Sequence, residues 1–184
     1  MKHWEIDQSW TLFLDRDGVI NQRIPGDYVK TWEDFQFCEG SLDAIVQLSR
    51  LFGRTVVVTN QQGIGKGLMS LEDLDLIHTQ LKEAVDERGG KIDQIYFCPD
   101  LAKSTNSCRK PNPWMAQQAQ KDFPEINFFR SIMIGDSISD MEFAFRLGMK
   151  TVFIEGKSEE QNESQLLSVD LRLETLNAFL PYCQ

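Results

Sequence analysis

Two aspartates one residue apart, Asp15 and Asp17, directly follow an apolar run at residues 10–14 and precede Gly18. An apolar run that ends in carboxylates is typical of a buried parallel strand whose carboxyl end carries polar groups. With a divalent cation between them and a phosphate, one carboxylate can attack while the other moves a proton. Aspartate and glycine are also ordinary turn residues, so these residues alone leave a simple turn as an alternative.

Three later segments carry further polar side chains at the ends of predicted strands or in the loops after them. These side chains are Thr59 and Asn60 after residues 54–58, Arg109 and Lys110 before a predicted helix, and Asp136 and Asp140 after residues 131–134. Carboxylates, cations and a hydroxyl are costly to bury together unless a metal ion and an anion balance their charges. Magnesium and a phosphate would supply both, so the set predicts a site for a phosphorylated ligand.

The elements that must position these groups alternate between strand and helix. Apolar spacing predicts strands at residues 10–14, 54–60, 92–98, 131–134 and 150–154, and helices at 41–53, 70–88, 113–124 and up to Gly148, with a closing strand and short helix in 169–180. This order is typical of an α/β fold with a doubly wound, mostly parallel sheet, where ligands bind at the carboxyl ends of the strands.

The connecting segments are predicted to be loops. Residues 21–38 form an irregular connection that could line the site, and residues 155–168 a loose polar surface segment. Residues 61–67 predict a glycine-rich loop in which Lys66 could meet a second charge. His78 lies on a predicted helix and is interpreted as a surface or packing residue, and His3 lies in a terminal segment expected to be mobile.

Length and composition limit the classes of function. The chain has 184 residues, of which 41% are hydrophobic and 26% charged, which predicts one soluble domain over residues 1–184. A net charge of -9 and a pI near 4.7 argue against a nucleic-acid or anionic membrane partner. We find no membrane-spanning run or signal peptide, so we expect a cytoplasmic monomer. In that compartment Cys38, Cys98, Cys108 and Cys183 are expected to be free thiols.

Taken in order, four short motifs resemble those of the haloacid dehalogenase superfamily of phosphohydrolases. They are DRDG at residues 15–18, TN at 59–60, RKP at 109–111 and GDSISD at 135–140, and the similarity covers roughly residues 10–155. The resemblance implies a Rossmann-like fold. The short segments between the motifs leave no room for a large cap domain, so the pocket should be open and lined by loops.

The resemblance also implies roles for single residues. Asp15 would be the nucleophile that forms an aspartyl phosphate, and Asp17 the general acid and base. A second aspartate at this position argues against the dehalogenase branch. Thr59 and the Asn60 backbone would bind the phosphoryl oxygens, Gln61 would contact the substrate, and Lys110 would neutralise the phosphoryl charge. Magnesium would be bound by the Asp15 carboxylate, the Asp17 main-chain carbonyl and the Asp136 carboxylate, with Asp140 as a supporting group.

Within the superfamily, the stretches DRDGVIN, TNQQGIGKG and RKPNPWM resemble the branch that holds heptose 1,7-bisphosphate phosphatases and histidinol phosphatases. This implies substrate contacts from Lys66 and Arg109 and a flap at residues 23–28. The resemblance thus implies a magnesium-dependent phosphatase of a heptose 1,7-bisphosphate or a similar sugar phosphate. One alternative is a histidinol phosphatase, although those enzymes usually have aspartate at the position of Gln62. The others are a DNA 3′-phosphatase and a phosphate-binding regulatory domain without turnover.

Departures from that branch concern zinc and the pocket mouth. Those enzymes typically hold a structural zinc before the RKP motif, whereas here Asp100 and Asn106 stand at two of the ligand positions. Two thiolates and one carboxylate make a poor zinc site, so we expect none. Near the pocket mouth, Ser137 replaces a lysine that is common in the heptose enzymes, and Trp114 replaces a small residue. These two differences leave the exact substrate open.

Overall fold

A computed structural model describes residues 4–155 and 168–183, and its centre is a six-stranded sheet. The strands are β1 (Thr11–Leu14), β2 (Arg54–Asn60), β3 (Gln94–Cys98), β4 (Ser131–Gly135), β5 (Lys150–Ile154) and β6 (Leu171–Leu173). All neighbouring pairs are parallel, in the order β3-β2-β1-β4-β5-β6. The chain therefore winds outward from β1 in one direction and then, from β4, in the other, which confirms the doubly wound α/β fold.

Helices cover both faces of this sheet. They are α1 (Ser41–Leu51), α2 (Gln62–Gly65), α3 (Leu71–Asp86), α4 (Trp114–Asp122) and α5 (Ile138–Leu147), with 3-10 helices at Phe128–Arg130 and Leu176–Tyr182. Side chains alternate across a strand. Thus Leu12 and Leu14 pack with α1 and α3, while Phe13 packs with α4 and α5 on the opposite face. Both cores hold β1 in place, and β1 delivers the acidic motif.

Helix ends largely follow the sequence signals. Ser70 caps α3 in a reciprocal capping box with Asp73, and Gly148 ends α5 at a φ of +73°. Two expectations were wrong in detail. The segment predicted as a loop at residues 61–67 contains the short helix α2, and Pro113 precedes α4 rather than being its first residue.

Between β1 and α1, residues 15–40 remain a loop. It is held by isolated bridges at Asn21 and by packing among Trp32, Phe35 and Phe37. In the described ranges the chain forms no separate cap domain, as expected. The expected loose segment lies mostly outside the described residues, as does His3. Across residues 4–155 and 168–183, each helix is too short or too polar to cross a membrane.

The expectation of four free thiols was wrong for two cysteines. Cys98 ends β3, and the following loop returns so that the Cα atom of Cys108 lies 5.6 Å away, where the two residues form a disulfide. Sequence spacing alone does not reveal this return. Cys38 and Cys183 are free thiols.

Candidate active site

The acidic motif forms a tight turn at the carboxyl end of β1. Asp15 is 5% exposed, and its backbone N–H donates to the carbonyl of Ile134 in β4. Gly18 has a φ of +96°, and a Cβ atom there would overlap Oδ2 of Asp136. Glycine is therefore needed both for the backbone conformation and for the approach of Asp136. The turn brings carboxylates from β1 and β4 together.

Lys110 lies between two of these carboxylates. Its Nζ atom is 2.8 Å from Oδ1 of Asp15 and 2.6 Å from Oδ1 of Asp140, and it donates to the carbonyl of Val58 at 2.7 Å. Burial lowers the pKa of Lys110, but the carboxylates of Asp140 and Asp15 raise it above the usual value. The buried ammonium is thus charged and fixed at the nucleophile predicted from sequence.

The acidic cluster has strongly shifted pKa values. Burial raises the pKa of Asp15 to about 6, although the nearby ammonium of Lys110 lowers it. Burial and the charge of Asp15 raise the pKa of Asp136 to about 7. Crowded carboxylates of this kind favour a bound cation.

Asp17 has a different environment, although it is only two residues from Asp15. Burial raises its pKa, but the guanidinium of Arg16 and hydrogen bonds from Asn21 and Gln61 outweigh this and hold the pKa below its usual range. Arg16 donates to both Asp17 carboxylate oxygens, at 2.9 and 3.1 Å. Asp17 is therefore ionised and held in one orientation before substrate binds.

The polar residues that end β2 reach the same site. Thr59 is 1% exposed and accepts a hydrogen bond from Nε2 of Gln61 at 2.9 Å, and the same Nε2 atom donates to Asp17 at 2.8 Å. Asn60 accepts the backbone N–H of Lys110 through Oδ1 at 3.0 Å. Gln61, which was predicted to contact substrate, lies in the wall of the pocket described below, and its side-chain amide links Thr59 to Asp17.

Sequence reasoning missed the pair Arg16 and His78. Arg16 is 1% exposed, and NH1 lies 3.4 Å from Nε2 of His78, which is also buried. Because arginine only donates, Nε2 of His78 accepts and its proton lies on Nδ1. Burial and the charge of Arg16 lower the pKa of His78 to about 3. The sequence does contain one signal for this pair. Arg16 lies between Asp15 and Asp17, and a charged residue in such a buried turn needs a polar partner.

Arg23 occupies the position where a cation is expected. Its NH2 group pairs with Oδ1 of Asp136 and lies 4.0 Å from Oδ2 of Asp15, and Nε donates to the main-chain carbonyl of Asp17 at 3.0 Å. These three oxygen groups are hard donors of the kind Mg²⁺ prefers. Carboxylate oxygens of Asp15, Asp136 and Asp140 also lie within 4.8 Å of one another. The donor set therefore fits a magnesium ion.

A pocket of about 540 Å³ opens above this cluster, and the loops after β1, β2, β3 and β4 line it. Lys66 and Arg109 are both in its wall, with Nζ of Lys66 donating to the hydroxyl of Tyr28 at 2.8 Å. Arg109 is half-buried, and its NH1 atom has no hydrogen-bond partner among the described residues. The pocket thus has cations beyond those at the acidic cluster.

Known proteins share both sequence and fold with this chain. A family model described as HAD-hydrolase-like matches residues 107–175. D-glycero-alpha-D-manno-heptose-1,7-bisphosphate 7-phosphatase of Mycobacterium bovis is 42% identical over 136 residues, which are 74% of this chain and 72% of the relative. D-glycero-beta-D-manno-heptose-1,7-bisphosphate 7-phosphatase of Pseudomonas putida is 36% identical over 168 residues, which are 91% of this chain and 95% of the relative.

Among solved structures, D,D-heptose 1,7-bisphosphate phosphatase from B. bronchiseptica, complexed with magnesium and phosphate, superposes with a TM-score of 0.84 at 28% identity, over 94% of this chain and 96% of that one. The chain belongs to the haloacid dehalogenase superfamily. It is a phosphoric monoester hydrolase of that superfamily, whose phosphatases generally use magnesium.

Proposed function

We propose that this enzyme hydrolyses D-glycero-D-manno-heptose 1,7-bisphosphate or a similar sugar phosphate through an aspartyl-phosphate intermediate. The observation that carries the proposal is the buried ion pair between Asp15 and Lys110 at the floor of a pocket whose wall carries further cations. The relatives named above act on heptose bisphosphates, and their similarity extends along most of this chain.

In the first half-reaction, a carboxylate oxygen of Asp15 attacks the phosphorus atom, and the bond from phosphorus to the sugar oxygen breaks. Asp17, once protonated, gives its proton to that oxygen. In the second, Asp17 takes a proton from water, whose oxygen attacks the phosphorus atom, and Asp15 leaves as a carboxylate with inorganic phosphate. The low pKa of Asp17 keeps its carboxylate deprotonated, so that it is able to accept a proton. Nearby substrate phosphate raises that pKa, since negative charge disfavours a second anion.

Other residues position the phosphoryl group. Thr59, Asn60 and Lys110 line the same pocket. We assign the Thr59 hydroxyl and the Asn60 backbone N–H as hydrogen-bond donors to the phosphoryl oxygens, and the Lys110 ammonium as the charge that offsets them. The carboxylates of Asp15 and Asp136 and the carbonyl of Asp17 would hold magnesium, with Asp140 supporting the cluster through Lys110. When bound, the ion supplies positive charge for the phosphate oxygens.

A substrate with two phosphates needs a second cationic position. Arg109 supports such a position because its NH1 atom is buried without a partner among the described residues. Lys66 lies at the pocket wall, where the hydroxyl of Tyr28 orients it. We assign both residues to the phosphate that is not transferred. The net charge of -9 also favours a small-molecule substrate over a nucleic-acid strand.

The experiment is phosphate release from a panel of heptose 1,7-bisphosphate, histidinol phosphate, hexose phosphates and a 3′-phosphorylated oligonucleotide. We expect the heptose bisphosphate to give the highest kcat/KM. Asp15→Asn should abolish turnover of every substrate, while Asp86→Asn, at the exposed end of α3, should leave it unchanged. Phosphate binding without turnover of any substrate would instead favour the regulatory alternative.

Substrate recognition is tested with Arg109→Met and Lys66→Met against Lys121→Met, an exposed lysine on α4. The first two variants should raise KM for the bisphosphate at least tenfold, with a much smaller effect on an aryl monophosphate. Equal effects on both substrates would contradict the assignment of these residues to a second phosphate.

A further inference from the structure

Arg23 contacts the same three oxygen groups that the proposed function assigns to magnesium. They are Oδ1 of Asp136, the main-chain carbonyl of Asp17 and, at 4.0 Å, Oδ2 of Asp15. A guanidinium and a divalent cation cannot both occupy this position, because they would overlap and their like charges would repel.

We propose that Arg23 is an exchangeable internal cation. It occupies the cation position in the metal-free enzyme and must leave when a divalent ion binds. This inference rests on the metal site of the proposed function. It assigns to Arg23 a role that its place in the flap did not predict: the residue competes with the metal instead of helping to hold it.

The surroundings of Arg23 allow such an exchange. Its side chain is 49% exposed, and it lies on the loop between β1 and α1, at the wall of the pocket. Lys110, by contrast, is 3% exposed and has carboxylate or carbonyl partners for each of its three protons. Of these two cations, Arg23 can therefore move into the pocket while Lys110 stays in place.

The charges of the cluster favour the exchange. Around the site, four carboxylates face three cations, namely Asp15, Asp17, Asp136 and Asp140 against Arg16, Arg23 and Lys110. Replacing the single charge of Arg23 by a divalent ion balances the four carboxylates. The displaced guanidinium then faces the pocket, where a phosphate would give it a new partner.

This exchange links metal binding to phosphate binding. A bound metal takes Asp15 and Asp136 from Arg23, and a phosphate in the pocket would give the guanidinium a new anionic partner. Metal and phosphate should therefore strengthen each other's binding, and by linkage the effect is reciprocal. Without Arg23, the metal should bind more tightly by itself and phosphate should add less.

The test measures metal affinity directly by titrating the protein with Mn²⁺, an ion that shares the oxygen preference of Mg²⁺, and following free Mn²⁺ by electron paramagnetic resonance. Arg23→Gln should bind Mn²⁺ about twofold to fivefold more tightly than wild type, since the variant loses a half-exposed ion pair that competes with the metal. Inorganic phosphate should tighten Mn²⁺ binding more in wild type than in this variant.

Two further variants complete the test. Lys30→Gln removes a cation from the same loop, where Lys30 pairs with Asp27 at 2.8 Å, and should bind Mn²⁺ as wild type does. Arg23→Lys keeps the positive charge but cannot reach all three oxygen groups at once, so its affinity should be intermediate. Thermal unfolding in EDTA checks that each variant is folded.

Equal Mn²⁺ affinity in wild type and Arg23→Gln would overturn the exchange while leaving the metal site intact. Weaker binding by Arg23→Gln would also overturn it, because Arg23 would then support the metal. Absence of Mn²⁺ binding in both proteins would refute the metal site itself, and the exchange with it. If Asp136 is a metal ligand, Asp136→Asn should weaken Mn²⁺ binding both in wild type and in Arg23→Gln.

Discussion

Replacing Lys110 with methionine should destabilise the protein and nearly stop catalysis. The ammonium is 3% exposed and lies 2.8 Å from Asp15 and 2.6 Å from Asp140. Methionine keeps much of the side-chain volume but leaves two buried carboxylates without their cation. Removing one partner of a buried charged group costs about 3–5 kcal/mol, a large part of the roughly 5–15 kcal/mol that stabilises a domain.

Urea unfolding at pH 7.5 in EDTA measures this loss. Lys121→Met is the matched control and should stay within about 0.5 kcal/mol of wild type, because Lys121 is exposed on α4. Adding Asp140→Asn to Lys110→Met removes one of the uncompensated charges, while the asparagine oxygen can still accept from Ser137. The double variant should therefore recover part of the lost stability.

Activity should not recover with stability. Lys110→Met should lower kcat by about 10²–10³-fold, the effect of removing one preorganised charge from the transition state. The double variant should stay equally slow, because the phosphoryl group still lacks its cation. A loss of less than about 1 kcal/mol together with a kcat within tenfold of wild type would refute the role that we assign to Lys110.

Three further predictions concern different parts of the molecule. The pKa of His78 is about 3 in the folded protein but about 6.5 in the unfolded chain, so the unfolded state binds a proton that the folded state does not. The free energy of unfolding should thus fall as pH drops from about 6.5 towards 4, and His78→Gln should reduce this pH dependence in urea unfolding. Gly18→Ala should weaken Mn²⁺ binding and lower kcat, because its Cβ atom would meet Asp136. The variant lacking Cys98 and Cys108 should lose about 2–3 kcal/mol relative to oxidised wild type, but nothing relative to wild type in dithiothreitol.

Each of these predictions has an outcome that contradicts it. For His78, the contradiction is an identical pH profile in wild type and variant. For Gly18, it is unchanged metal affinity in a folded Gly18→Ala protein. For the disulfide, it is the same midpoint for wild type with and without reductant. Zinc analysis of the reduced protein tests separately whether Cys98, Asp100 and Cys108, whose donor atoms lie within 4.8 Å of one another, bind zinc; the expectation that they do not stays a prediction.

Much of the fold could be predicted because its signals are local. The apolar run before Asp15, the capping box at Ser70 and the glycine at position 148 each act within a few residues, and the structure has the expected strand or helix at each. Alternation of strands and helices then restricts the topology to a doubly wound sheet. The helix α2 was missed because glycine disfavours helices and its single turn has no apolar period.

The sequence also predicted the kind of chemistry at the site. The types of Asp15, Asp17, Lys110 and Asp136 predicted a site for a metal ion and a phosphate, and the resemblance of their motifs to the haloacid dehalogenase superfamily predicted a phosphatase. The carboxyl ends of parallel strands bring these residues to one edge of the sheet. Their residue types decide what they can do: carboxylates attack phosphorus and bind hard cations, and an ammonium offsets the charge of a phosphate.

Only the tertiary structure decided which groups face one another. Arg16 pairs with Asp17 and His78, Arg23 reaches across the site to Asp136, and the Cys98 and Cys108 thiols meet, although the sequence spacing favours none of these contacts. Such partners depend on loop paths and side-chain directions, which change with small rotations of the backbone. The sequence and its four motifs thus indicated the reaction class, whereas the three-dimensional arrangement of charges set the pKa values and placed Arg23 at the proposed metal position.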